Sequence, residues 1–344
     1  MNRRKLSNRN GVGHKSLKRP NRRLERDDVD TVMVSVALKS FVEAKRAEGL
    51  RDRTIEAYNE HIKLLMRYMG GDFPLSKLTA DQIREYVNYM LYDRLTYQED
   101  EHRKKKKKGL SANTVNIRLR TLRTMCNYWF LEGMISTNPM QNISQVKSDY
   151  VEEVPGLSPK EVKKLLNYLN DEFFGDYRDR LLIMLLLDTG MRINEAVNVK
   201  IGDINMKRST VHIPSARAKN RRYREVPATL SVLQKLVELY HENESYFEQS
   251  EYIFLNTDGE PYSSDAFRKR LNRIKVDIGM ERLSPHQFRH TFCREYLLNG
   301  GDLFTLQKIV DHADIKTTRK YIQMDEDNLR AQHGVYSPVN KYLE

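Results

Sequence analysis

The chain has 344 residues, 39% of them hydrophobic and 31% charged, with a net charge of +12. That length suits two domains better than one, and the charge favours a polyanionic partner, nucleic acid ahead of an anionic membrane surface. No stretch approaches the roughly 18 consecutive apolar residues that span a bilayer. The basic N-terminus lacks the apolar core of a secretory signal. The two cysteines, Cys126 and Cys293, do not form a Cys-x-x-Cys pair, which argues against a thiolate zinc site and for a reducing, cytoplasmic compartment.

The charge is uneven. The first 26 residues carry ten Lys or Arg against Glu25 alone, so residues 1–29 are expected to form a basic arm that stays disordered until it meets a partner. Asp30 is placed to cap a helix running to about Glu48, before Gly49. A second helix starts at Thr54, with Ile55, Tyr58, Ile62, Leu65, Met66 and Met69 at helical spacing, and ends at Gly70-Gly71. Thr79 and Gln82 make a capping-box signature for a third helix, reaching about Leu95. Residues 96–110 read as a polar loop carrying the basic run Arg103–Lys108. Ser111 opens a fourth helix, with Val115, Leu119, Leu122, Cys126 and Trp129 on one face and Gly133 at its end. These elements describe an all-helical domain over residues 30–143.

Residues 144–157 are polar, contain Pro155-Gly156 and read as a linker. A second domain follows over residues 158–325. Ser158-Pro159-Lys160-Glu161 combines an N-cap, a proline at the first helical position and a glutamate three residues after the cap. The apolar run Leu181–Leu187 reads as a buried helix ending at Asp188-Thr189-Gly190, and Ile193–Val199 as a short helix. Thr210–Ile213 and Arg224–Val226 read as two strands joined by the basic turn Arg217–Arg222. Ser284-Pro285-His286-Gln287 again sets cap, proline and Gln in register for a helix start, and a last helix carries Thr317–Met324. Residues 326–344 form a C-terminal tail.

Four segments stand out chemically. His286 and Arg289, three residues apart on one helix face, pair an imidazole that can shuttle a proton with a guanidinium that can grip two phosphate oxygens. His290, four residues after His286, has a spacing that suits zinc. The Glu of the zinc-protease motif is missing and no other ligands are evident, so His290 reads as a packing or supporting residue. Arg192 follows the turn at Gly190, which can aim it into a cleft, and Glu195 is placed to fix a nearby basic residue or to be solvated. Lys219 lies among several basic residues of the hairpin. The fourth segment is Val310-Asp311-His312 with Tyr321 nine residues later.

In content, order and spacing these segments resemble the tyrosine recombinase, or phage-type integrase, family, and with the helical domain the resemblance spans about residues 30–325. It implies a mainly α fold with a small β-hairpin: an α-helical, SAM-like core-binding domain followed by an α+β catalytic domain. It implies a site-specific recombinase that cuts and rejoins DNA through a 3′-phosphotyrosine at Tyr321 and a Holliday junction, with no metal or other cofactor. In that family's terms Arg192, Arg289 and His312 stabilise the phosphate, and His286 takes the phenolic proton. The hairpin lysine lies seven residues before a Val-Pro pair, here Val226-Pro227, which selects Lys219 as the acid for the leaving 5′ oxygen. Glu195 is a support. Asn113, Arg118, Arg120 and Arg123, with Arg221 and Arg222, would lie against double-stranded DNA, and the tail 326–344 against a neighbouring protomer of a homo-tetramer on paired sites. An accessory DNA-bending or directionality protein is a further candidate partner. One departure stands out: the family has Gly before this His, and this chain has Asp311, which can cap a helix but sets a carboxylate near a phosphate site. The rival readings are a type IB topoisomerase, a non-catalytic DNA-binding scaffold and, more weakly, a basic RNA-binding protein.

Overall fold

The computed structural model describes residues 32–98, 106–147, 156–218, 220, 222–319, 321, 330 and 333–342. The basic arm, Lys104 and Lys105, the linker residues 148–155, Lys219, Arg221 and much of the C-terminal tail lie outside the described residues. The chain divides into two compact units, Met1–Val151 and Glu152–Glu344.

The first unit is helical: α1 (Val34–Ala47), α2 (Asp52–Tyr68), α3 (Ala80–Asn88) and α4 (Ala112–Leu131). Asp30 lies outside the described residues, and α1 starts at Val34 after an uncapped Met33. The Thr79 hydroxyl caps α3 by accepting the Gln82 amide at 3.2 Å. The helical path does not run smoothly to Leu95; it loosens into a π-turn over Tyr89–Asp93. The ends of the 96–110 loop are pinned by a bridge between Leu95 and Lys108. Ser111 caps α4 as its sequence suggests, and α4 turns Val115, Leu119, Leu122, Cys126 and Trp129 into the core. The buried Trp129 indole N–H is satisfied by the Ala37 carbonyl at 3.1 Å, which ties α4 to α1. The first residues of the expected linker are held on this unit: Asn116 exchanges two hydrogen bonds with the Val146 backbone.

Near the start of the described part of the second unit, Leu157, buried, donates its amide to Thr291 Oγ1 at 2.7 Å. Its elements are α5 (Pro159–Tyr168), α6 (Phe174–Thr189), α7 (Ile193–Ala196), β1 (Ile204–Asn205), β2 (Thr210–Ile213), β3 (Arg224–Pro227), α8 (Leu230–Tyr246), α9 (Ser264–Asp277), α10 (Pro285–Leu298), α11 (Leu303–Val310) and α12 (Ile315–Arg319). The Ser158–Glu161 capping box forms in both directions. Helix α6 buries Leu181, Leu182, Ile183, Leu185 and Leu186 around most of its circumference, as a central helix must, and packs against α8 and α10. The sheet has order β1-β2-β3, all antiparallel, with Val211 opposite Val226. Arg217 closes the mouth of the β2–β3 connection: its guanidinium forks onto both Asp203 oxygens at 2.6 Å. Ser284 makes no side-chain cap on α10, and Gln287 is buried instead of capping. A satellite cluster of Cys293, Leu297, Leu306 and Val310 joins α10 to α11 and seats Tyr321.

Candidate active site

Gly190 ends α6 in the left-handed conformation, φ 61°, and a Cβ there would run into the Phe292 ring. Both facts select glycine. The turn it makes places Arg192 at the start of α7, where the Arg192 amide donates to Glu195 Oε2 at 3.1 Å. Glu195 is 2% exposed, a position a carboxylate occupies only when it is paired. Arg224 on β3 supplies the pair as a fork: Nη1 donates to Oε1 at 3.2 Å and Nη2 to Oε2 at 2.7 Å. Arg192 Nη1 adds a fourth bond at 3.3 Å. Burial pulls the Glu195 carboxyl up, but the hydrogen bonds and charge of Arg224, with Arg192, outweigh it and hold the group below the usual carboxylate range.

Asp311 lies across from this pair. It caps the C-terminal end of α11 in the left-handed conformation, φ 54° and ψ 54°, the conformation that glycine adopts without cost. The cap forms there, not at a helix start. Its Oδ2 accepts from Arg192 Nη1 at 3.1 Å and from Asn220 Nδ2 at 2.8 Å, and Arg224 Nη1 stands 3.5 Å away. The Asp311 carbonyl accepts from Arg192 Nη2 at 2.7 Å. One carboxylate thus joins α7, the β2–β3 connection and the end of α11.

Arg289, on α10, is 6% exposed. Nη1 donates to the Gly190 carbonyl at 2.6 Å and Nη2 to the Val310 carbonyl at 2.5 Å. These bonds aim the guanidinium between the turn that carries Arg192 and the turn that carries His312. Burial, and then the nearby charge of Arg192, lowers its pKa to about 10, which leaves it cationic at neutral pH. His312 Nδ1 lies 2.9 Å from Thr318 Oγ1. Burial, reinforced by Arg289 and Arg192, depresses the imidazole to about 4, so it is neutral at pH 7.

Tyr321 follows α12, its amide on the Thr318 carbonyl at 3.1 Å. Its ring lies nearly parallel to that of His312, with centroids 6.3 Å apart, and its hydroxyl lies 2.5 Å from His290 Nδ1. Burial and the adjacent Cys293 thiol push the phenol up from its ordinary value, while Arg289 pulls the other way. Burial likewise raises Cys293 to about 11, so the thiol stays protonated.

The structure therefore gathers Arg192, Glu195, Arg289, His312 and Tyr321 from turns and helices far apart in sequence. His286 lies one helical turn before His290 and is exposed. Lys219 and Arg221 lie outside the described residues; their neighbour Asn220 reaches Asp311, and Arg222 is exposed. On α4, Asn113 and Arg120 are exposed. Arg118 and Arg123 turn onto their own unit: Arg118 Nη1 lies 3.6 Å from Met90 Sδ, and Arg123 bonds the Ile143 carbonyl. Sequence reasoning missed Arg224 and Asn220 as parts of the site; His290, read there as a packing or supporting residue, lies against the Tyr321 hydroxyl. Among the described residues no group of three or more His, Cys, Asp or Glu is arranged to hold a metal ion, and no helix is long and apolar enough to cross a membrane.

A model of the phage integrase family matches residues 156–328, and a model of the phage integrase SAM-like domain matches residues 33–147. The chain is 27% identical over 297 residues to tyrosine recombinase XerD of Listeria innocua, covering 85% of this chain and 94% of that one. It is 28% identical over 225 residues to tyrosine recombinase XerC of Staphylococcus carnosus, covering 65% of this chain and 75% of that one. Among solved structures, the Tn1549 transposon integrase in complex with transposon right end DNA superposes with a TM-score of 0.68 at 18% identity, covering 88% of this chain and 99% of that one. A lambda integrase dimer bound to a COC' core site gives a TM-score of 0.65 at 19% identity, covering 87% of this chain and 81% of that one. At those identities the structural likeness speaks for the fold.

Proposed function

The chain belongs to the phage integrase family of tyrosine-type site-specific recombinases, and from that premise we propose that Tyr321 attacks a DNA phosphodiester to form a 3′-phosphotyrosine. The observation that carries this reading is the convergence of two guanidinium groups, a neutral imidazole and a phenol on one small region. A phosphodiester repels nucleophiles because it is anionic, and charge builds on its non-bridging oxygens as the phenol attacks. Arg192 and Arg289 each keep N–H groups beyond those bound to backbone carbonyls, and these are the donors for that charge. A Thr318 hydroxyl that donates to His312 Nδ1 would leave the ring proton on Nε2, the tautomer that donates to a phosphate oxygen. Lys219 is the proposed acid for the leaving 5′ oxygen and His286, by resemblance, the proposed acceptor of the phenolic proton. Glu195 holds Arg192 and Arg224 in place.

The phosphotyrosine stores the energy of the broken bond, so a 5′-hydroxyl of another duplex can reverse the step and complete strand exchange. Two strands exchange at a time through a Holliday junction, in a homo-tetramer on paired sites, with an accessory protein as a candidate for setting direction. On the first unit Asn113 and Arg120 are the proposed DNA contacts of α4; Arg118 and Arg123 would first leave Met90 and the Ile143 carbonyl. The topoisomerase and scaffold readings are weaker, since the relatives XerD and XerC are named as recombinases.

The test starts from duplexes of random sequence selected by binding to Tyr321→Phe. A selected duplex is nicked so that the cut end diffuses away, incubated with the protein in EDTA and run on a denaturing gel. A covalent band with the native chain and none with Tyr321→Phe is expected. Bound DNA with no covalent band for either would reduce the chain to a DNA-binding scaffold.

A further inference from the structure

We propose, resting on the recombinase reading above, that Asn220 is a positioning residue for the leaving-group step: its bonds to Asp311 fix the β2–β3 connection against the Arg192 turn and so set the reach of Lys219, the residue before it in the chain, towards the 5′ oxygen. Asn220 Nδ2 donates to Asp311 Oδ2 at 2.8 Å and to the Asp311 carbonyl at 3.2 Å. A carboxylate and a carbonyl only accept, so the side-chain amide has to turn its NH2 towards them, and the contact has one orientation. The same Oδ2 accepts from Arg192 Nη1 at 3.1 Å. One carboxylate oxygen therefore joins the connection to an arginine that is proposed to grip the phosphate. The connection is also tied at its ends: Arg217 forks onto Asp203 and Arg224 onto Glu195. Between those forks Asn220 reaches the site, whereas Arg222 is exposed and the Tyr223 hydroxyl turns back to Glu225 on β3 at 3.0 Å.

A general acid has to stand within hydrogen-bond reach of the atom it protonates. Lysine carries its ammonium on a flexible four-carbon stem, so the backbone that bears it has to be placed for it. In the step, the phenolic oxygen of Tyr321 forms its bond to phosphorus and the phenolic proton passes to the base. The bond from phosphorus to the 5′ oxygen breaks, its electron pair stays on that oxygen, and the Lys219 ammonium supplies the proton. On rejoining, the attacking 5′-hydroxyl returns that proton to the lysine. A sulfur in place of the 5′ oxygen leaves as a thiolate, since a thiol has a pKa of about 8.5, and it needs no acid. The two leaving groups therefore separate the placement of the acid from everything else in the site.

The experiment measures single-turnover rates of covalent complex formation, at saturating protein, on the selected, nicked duplex with either oxygen or sulfur at the 5′ bridging position of the cleaved phosphate. The native chain, Asn220→Ala and Lys219→Ala are compared. With oxygen, Lys219→Ala should be slower by about 10²–10⁴-fold, and Asn220→Ala by about 10²-fold, the effect of a misplaced group that is still present. With sulfur, both variants should recover most of the lost rate. That recovery also shows that Asn220→Ala is folded and binds the duplex, and a merely structural role does not give it. An Asn220→Ala rate equal to native with oxygen would overturn the proposal. So would a loss of the same size with oxygen and with sulfur, which would place Asn220 in the packing of the hairpin or in DNA binding. If Lys219→Ala shows no recovery with sulfur, the acid has been misassigned and the proposal falls with it, while the covalent complex of the native chain still stands. If the native chain forms no covalent complex on either duplex, the recombinase reading itself has failed.

Discussion

On the Arg192 side of the site the arginines and carboxylates are held by ion pairs, whereas on the Tyr321 side the phenol, the thiol and the His312 imidazole are held neutral by burial. Arg192, Arg224, Glu195 and Asp311 form one connected set with separations from 2.7 to 3.5 Å. Tyr321, Cys293 and His312 all titrate away from their ordinary values in the direction of the uncharged form. The contrast has a chemical sense. Negative charge that accumulates on a phosphate needs donors fixed before the reaction starts. A nucleophile that must lose a proton on demand benefits from a dry setting in which the proton leaves only when an acceptor and a substrate are both present.

The contrast breaks most severely at Glu195. Glu195→Ala leaves Arg224 and Arg192 facing each other across a buried vacancy, and breaking a buried pair from one end costs about 3–5 kcal/mol. Urea unfolding should show that loss, and the cleavage rate should fall with it. A loss below about 1 kcal/mol would mean that the charged side is solvated and not built as a buried pair. The next effect belongs to Arg192. Arg192→Lys keeps the charge but removes the fork that reaches Asp311 and a phosphate together. Cleavage should fall about 10²–10³-fold with little change in unfolding, read from single-turnover rates on the nicked duplex. An equal fall in covalent complex formation and in stability would place Arg192 among the structural arginines, with Arg217.

Asp311 is the point where the charged side works against itself. Its carboxylate occupies Arg192, and its backbone sits where a side chain is strained. Asp311→Gly should relieve strain of about 1–2 kcal/mol, offset in part by the lost ion pair, and free a guanidinium edge for phosphate. Tighter binding to the nicked duplex by a few-fold and a melting temperature within a few degrees of native are expected. Weaker binding would show instead that the carboxylate organises the arginines for DNA.

Much of this was legible in the chain and some was not, for reasons the geometry makes plain. The apolar stripe on α4 and the Ser158 capping box are local patterns, and they appear where the sequence puts them. The Arg224–Glu195 fork joins residues 29 apart, on a strand and a four-residue helix, and no local spacing encodes it. Strand β1 has two residues, too few for alternation to show. His286 and His290 share a helix face by their spacing, yet which of them meets Tyr321 depends on where the turn after α12 sets the phenol. Asp311 was legible as a departure from the family pattern. Its partner Arg192 lies 119 residues earlier, so its consequence was not.

The smallest expected effect is the one that tests how the two sides meet. His312 belongs to the neutral side, but after burial the next cause of its depressed pKa is the positive charge of Arg289 and Arg192. Its folded value of about 4 lies below the ordinary 6.5. Above pH 6.5 the imidazole is neutral in both the folded and unfolded chain, and its contribution to stability is fully present. As the pH falls from 6.5 towards 4 the unfolded chain binds a proton that the folded chain refuses, so stability is lost across that window. His312→Gln has no such proton. Melting temperatures measured at pH 7.5 and 4.5 should therefore fall further for the native chain than for His312→Gln, the carboxylates common to both cancelling in the comparison. Parallel falls would show that the imidazole is not held neutral. In Asp311→Gly the carboxylate that pulls His312 upward is gone, so the native-minus-variant difference should widen. Bound DNA should shrink it, because a phosphate beside the ring favours the protonated form.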